Sequence, residues 1–280
     1  MASMYAAFQS DINGFRIQAS NSDDHSRLLS LATGISHGAY PQTTSRRDAY
    51  PFVLNHQGSG VLPFNWTDHR GDATFLRSDN EESAKLESDL AQADAILVFF
   101  ACDALSARRT SPAQIRRLVT LIAQAISSRS SHAVIALVLT KADLVEEIDD
   151  ELIEPIKTLI ECIASSREVL GTLIPVACGP ELANVLLPPI YALRFGLIQK
   201  HNATVSEAES SARRVLELDD EGSSLGGMFG AAMDWFNGNE TVYKKAERWR
   251  GYLRNEIALY ERLAAAAEGL DKYLADLPKF

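Results

Sequence analysis

Val134-Ile-Ala-Leu-Val-Leu-Thr140, running into Lys141-Ala-Asp143, decides the fold class of this chain. An unbroken run of branched and aliphatic residues, with no polar alternation, is the pattern of a strand buried on both faces. The polar group after it stands at the carboxyl end of that strand, where open α/β sheets bind their ligands. A lysine and an aspartate two residues apart suit a flat heterocycle. The lysine stem can lie along one face, while the carboxylate accepts paired hydrogen bonds such as a guanine edge offers.

Downstream and just upstream of this strand, the pattern alternates regularly. Ala95–Ala101 reads as a second buried strand, Ser111-Pro112 starts a helix with Ile115, Leu118, Val119, Ile122 and Ile126 on one face, and Glu147–Ile163 reads as the next helix. Thr172–Ala177 is a further strand and Pro189–Lys200 a further helix. Such alternation predicts right-handed crossovers and an α/β fold, a mostly parallel sheet with helices on both faces.

The first part of the chain reads differently. Met1–Gln9 is helix-competent, Phe15–Ala19 alternates like a strand, and Ser22-Asp-Asp caps a helix through Leu28, Leu29 and Leu31. Ala39–Asp48 is an unpatterned loop. Tyr50–Leu54 and Val61–Thr67, separated by Asn55–Gly60, form a hairpin with a longer loop, and Pro51 and Pro63 suit an edge. Leu86, Leu90 and Ala93 then mark a helix.

Ala203–Asp220 is polar and helical, Glu221-Gly-Ser-Ser a linker, and Leu225–Phe236 small, apolar and glycine-rich. Leu253, Ile257, Tyr260, Ala264, Ala267 and Leu274 trace a near-heptad stripe. The expected organisation is a domain over 1–202 and a helical appendage over 203–280. The appendage either packs back on the domain or meets a protein partner or a membrane surface through 225–236.

The net charge of -10 argues against a nucleic-acid partner, which calls for clustered Lys and Arg. Cys102, Cys162 and Cys178 lack metal-site spacing, which points to a reducing compartment. With no secretory signal and no apolar run long enough to span a bilayer, the expected location is cytoplasmic and the chain has no transmembrane segment.

Three groups stand after three different strands: Asp68-His-Arg-Gly71, Thr140-Lys-Ala-Asp143 and Ala177-Cys178-Gly179. Their order and spacing resemble the P-loop GTPase superfamily over roughly residues 5–200. The Pro-x-Thr loop and the Leu-Pro-Pro-x-Tyr-x-Leu-Arg stretch look most like the bacterial double-GTPase type. The resemblance implies a GTP/GDP and Mg²⁺ site. Asp68 would sit near the metal through water, Gly71 would donate its N–H to the terminal phosphate, and Thr43 or Thr44 would close over the metal. Lys141 would lie over the base, Asp143 would hold its edge beside Thr140, and the backbone of Ala177 and Cys178 would meet the base oxygen. Arg70 and His69 are candidates for assisting catalysis. Asp72 stands where the superfamily often has a water-orienting glutamine. Each pattern also has a plain structural counterpart: Asp-x-x-Gly is a common turn, and Thr-Lys-x-Asp suits a helix start.

One expected part is absent from the 280 residues. No Gly-x-x-x-x-Gly-Lys-Ser/Thr pattern occurs, and no lysine precedes Lys85. In the superfamily the strand before that loop is central in the sheet, and Met1–Phe8 resembles the helix after it. A missing central strand would cost on the order of 1–3 kcal/mol for each buried backbone group left unsatisfied. The expectation is therefore either a chain that starts after its first strand, a pseudo-GTPase with a closed sheet, or a strand donated by another chain. Nucleotide binding would be weak and hydrolysis slow. The alternative function is a non-catalytic scaffold that binds a protein or membrane surface through its carboxyl-terminal helices.

Overall fold

The computed structural model describes residues 1–39, 47–69, 81–107, 112–129, 131–178, 181–223 and 242–280. The chain divides into two compact units, Met1–Gly196 with Gly269–Phe280, and Leu197–Glu268.

The first unit contains two sheets. In the first, β1 (Phe15–Ala19), β2 (Asp48–His56) and β3 (Ser59–Asp68) run antiparallel in the order β1-β2-β3. Helices α1 (Ala2–Ala7) and α2 (Ser22–Ser36) pack on each other. In α2 the Asn21 side chain caps the amino end by accepting from the Asp24 N–H at 2.7 Å. Alternate residues of β1, namely Phe15, Ile17 and Ala19, are buried, as are Tyr5, Phe8, Phe52 and Leu54. The Tyr5 and Phe52 rings lie 5.4 Å apart.

The second sheet has the order β4-β5-β6-β7: β4 (Ala95–Ala101), β5 (Ala133–Thr140) and β6 (Val169–Cys178) are parallel, and the short β7 (Leu182–Ala183) turns back antiparallel on the end of β6. From Ala133 to Leu139 every residue of β5 is buried. Since side chains alternate between faces, both faces of this strand are covered. Helix α3 (Glu81–Gln92) packs on α5 (Pro112–Ser127), α5 on α7 (Lys157–Ala164), and α7 on β6.

The chain is thus α/β with one mostly parallel sheet, as the alternation of apolar runs implies, and with a separate antiparallel sheet that a single parallel sheet does not anticipate. Among the described residues no strand pairing joins the two, so β3 has β2 as its strand neighbour and β4 has β5. The longer hairpin loop is corrected as well. The turn is only Gln57-Gly58, both at positive φ (50° and 79°), a geometry that matches the twist of the flanking strands, so the strands extend to His56 and Ser59. The helix expected over Glu147–Ile163 is broken into α6 (Asp150–Ile153), a 3₁₀ turn at Glu154–Ile156 and α7. Pro155 in that turn has no N–H to continue an α-helix.

The carboxyl terminus completes this unit. Backbone pairs join Gly171 and Phe280, with Gly171 N–H donating to Phe280 O at 2.7 Å and Phe280 N–H donating back at 3.1 Å. The Thr172 hydroxyl donates to Pro278 O at 2.6 Å, so the tail adds to the β6 edge where β7 does not reach. Gly171 is what admits it: a Cβ there would lie 2.6 Å from Phe280 Cδ2 and 2.8 Å from Ile163 Cγ2. Arg194 and Asp271 form an ion pair, and Tyr273 accepts from Asn13 Nδ2.

The second unit consists of the later part of α8 (Leu187–Ser223) and most of α9 (Val242–Asp271). Helix α8 is continuous, in place of the two separate helices and the linker from Glu221 that the sequence implies. In α9, Leu263 and Ala266 are buried, whereas Ile257 and Tyr260 of the anticipated stripe are 46% and 38% exposed, so the buried stripe is rotated from the one counted in sequence. The Tyr260 ring lies against His201, with centroids 4.2 Å apart. Among the described residues, no helix is long and apolar enough to cross a membrane, and the 225–236 segment lies outside them.

The tail supplies a stability test. Phe280→Ala, which empties a half-buried site against the core, is expected to cost about 1–3 kcal/mol in urea unfolding. Gly171→Val is expected to cost at least as much by expelling the same ring. Unchanged midpoints in both would show that the tail does not secure the β6 edge.

Candidate functional site

The parallel pairing brings three strand ends to one level. Ala101 of β4 stands beside Thr140 of β5, and Thr140 beside Val176 of β6, so the residues just beyond each strand share one edge of the sheet. After β5 comes Lys141, in the left-handed region at φ 56° and ψ 38°, then a 3₁₀ turn over Ala142–Leu144 that holds Asp143 at the surface. A residue with a Cβ pays roughly 1–2 kcal/mol for that backbone region, so Lys141 is held there by its surroundings. Leu144 N–H donates to Lys141 O at 3.1 Å and closes the turn.

Lys141 Nζ reaches Asp103 Oδ2 at 3.1 Å, the side chains being 52% and 27% exposed. Asp103 belongs to α4 (Cys102–Ser106), which starts directly after β4. Thr140 turns its hydroxyl to β4, donating to Phe100 O at 3.2 Å, and so ties the two strand ends together. Ala177 and Cys178 close β6 and face Ala183 and Leu182 of β7 across an antiparallel ladder.

Burial pushes the Cys178 thiol above its usual range, with the Met1 amino group opposing and Asp143 reinforcing that shift. Burial also raises the Cys102 thiol, helped by Asp103 and Asp143. Asp143 therefore acts on thiols at the ends of both β4 and β6. Burial lowers the pKa of the Met1 amino group, against the pull of Asp68 and Cys178.

Asp68 ends β3, opposite Asp48 in the β2–β3 ladder. Beside it, His69 Nε2 meets Asp89 Oδ2 at 3.1 Å, and Arg47 Nε meets the same oxygen at 2.7 Å. One carboxylate of α3 thus holds the residue after the 40–46 segment and the residue before the 70–80 segment. Thr43, Thr44, Arg70, Gly71 and Gly179 lie outside the described residues. Asp103 and Asp89 are the site residues that the motifs did not reveal. Asp103 comes just after a buried strand, so the rule applied to the end of β5 would have flagged it. Nothing in the sequence pattern marks Asp89.

Lys141 and Asp143 offer a cationic stem and a carboxylate on one short turn. Asp68 is a hard oxygen donor of the kind Mg²⁺ takes, one or two carboxylates sufficing where phosphate and water complete the shell. Among the described residues no group of three or more His, Cys, Asp or Glu gathers as a metal cluster.

His69 gives a pH test. Its pKa lies below the ordinary 6.5, because burial outweighs the attraction of Asp89. Between the folded and unfolded values the unfolded chain binds more protons, so this contribution to stability is whole above about pH 6.5 and is lost as pH falls through the lowered value. His69→Gln should therefore flatten part of the fall in unfolding midpoint between about pH 7 and pH 5. An unchanged slope would place that fall elsewhere, His56 being lowered by burial too.

Residues 36–169, just under half of the chain, match the model of a family described as Double-GTPase 2. The matched span holds Asp68, Asp89, Asp103 and the Thr140–Asp143 turn, and ends as β6 begins. Comparison with curated proteins gives no match. Over 36–169 the chain is therefore similar to a P-loop-GTPase-related family, and the match supports a GTPase-like, nucleotide-binding domain.

Proposed function

We propose that this chain is a guanine-nucleotide-binding domain of the GTPase type, in which Lys141 and Asp143 recognise the base. The observation that carries this reading is the Lys141–Asp143 turn at the carboxyl end of β5, flanked by the ends of β4 and β6. A carboxylate there accepts from the ring N–H and the exocyclic amine of guanine, a pair that adenine does not present. The lysine stem covers the plane of the ring while its ammonium stays in water. The backbone at Ala177 and Cys178 borders the same edge.

Nucleotide state would be read through residues 43–47 and 71–82, with Asp68 and Thr43 or Thr44 holding Mg²⁺ together with phosphate oxygens. The ion, when bound, supplies charge neutralisation at the phosphates. The contacts of Asp89 with Arg47 and His69 support coupling between these segments. The 280 residues contain no Walker A pattern to cradle phosphates, so their own affinity for GTP is weak and their hydrolysis slow. The carboxyl-terminal helices and residues 225–236 would carry a protein partner or a peripheral membrane contact.

Titration of a fluorescent GDP analogue into the full chain, beside its adenine counterpart, tests the reading. Asp143→Ala should weaken guanine binding on the order of ten- to a hundredfold, the worth of hydrogen bonds to a charged acceptor, and should erase the preference over adenine. No preference in the wild type would overturn the guanine reading. It would favour an interaction scaffold, in which Trp235 and Phe236 matter and Asp143 does not. Micromolar, Mg²⁺-dependent affinity for GTP would overturn the claim of weak binding.

A further inference from the structure

We propose that Asp103 is a positioning residue for base recognition: it draws the Lys141 ammonium toward the end of β4, so that the lysine stem is laid out as a platform before the nucleotide arrives. This rests on the assignment of Lys141 and Asp143 to the base site.

The geometry begins with the register of the sheet. Ala101 and Thr140 are paired, so Asp103 and Lys141 leave adjacent strand ends only one or two residues beyond the same ladder position. The Thr140 hydroxyl bond to Phe100 O fixes these ends relative to one another. The left-handed backbone at Lys141 then directs a long side chain, and Asp103 Oδ2 at 3.1 Å defines where it ends. Asp143, two residues on, stands exposed on the 3₁₀ turn that follows the same strand.

A lysine side chain free in water samples many rotamers, and a stacking contact must freeze them. An ion pair that holds the Lys141 side chain against Asp103 removes part of that cost from binding. It also leaves the stem, rather than the charged head, to meet the ring. Because the Lys141 side chain remains 52% exposed, the platform is open to solvent and to a ligand. The pair is exposed enough that its own contribution to folding is small, so its consequence falls on binding.

The test compares wild type, Asp103→Asn, Lys141→Met and the double variant in the full chain, with a fluorescent GDP analogue and its adenine counterpart as probes. Asp103→Asn keeps the shape and removes the charge. It is expected to weaken binding of the guanine probe about fivefold, the upper end for an exposed pair. It should leave the unfolding midpoint unchanged and have no further effect once Lys141 is Met. Wild-type affinity in Asp103→Asn would overturn the inference. So would an equal loss with and without the lysine charge, or a loss that tracks a lowered unfolding midpoint. If the wild type itself shows no preference for the guanine probe, the base-site assignment falls first and this inference with it. If that preference holds and Asp103→Asn is silent, only the role of Asp103 falls.

Discussion

Everything at the candidate site depends on the parallel pairing of β5 with β4 on one side and β6 on the other. A strand with no exposed face allows no slippage, since a shift by one residue would exchange every side chain between two packed layers. The register is therefore fixed, and with it the level at which β4, β5 and β6 end. Polar residues that would be scattered in sequence, Asp103, Lys141, Asp143 and Cys178, are brought to one edge because the apolar residues before them have nowhere else to go.

A second constraint acts from the opposite side of the sheet. The edge of β6 beyond the reach of β7 is closed by the chain's own last residues, through the Gly171–Phe280 backbone pairs and the Thr172 hydroxyl. Within the same unit Gly269 comes so close to Phe15 that a Cβ would sit 3.0 Å from the ring. The antiparallel sheet, by contrast, has no strand pairing with the parallel one among the described residues.

The buried strands are legible in the sequence because their apolar runs report burial on both faces, and β1 because its alternation reports burial on one. What escapes is long-range. Nothing in Phe15–Ala19 names β2 as its partner, and Lys279-Phe280 is too short to carry any period. The Gln57-Gly58 turn reads as longer because Asn55 and Gly60 are turn formers that here sit inside the ladder at a register shift. Pro155 marks its own helix break, yet the apolar spacing around it runs on undisturbed. Of the site, Lys141 and Asp143 are legible from their place after β5. Asp103 is open to the same rule from its place after β4, whereas Asp89 is not, since a single acidic residue on a helix is ordinary until a partner across the fold gives it a role.

Recognition of guanine by the turn after β5 is reported most directly by amide shifts in a ¹H–¹⁵N spectrum of the full chain. Addition of GDP should move the amides of Lys141–Leu144 and of Ala177–Cys178 while those of the β6–tail pairing stay in place, and ADP at the same concentration should leave all of them unmoved. Shifts of equal size with ADP, or GDP-induced shifts that bypass Lys141–Leu144, would contradict it.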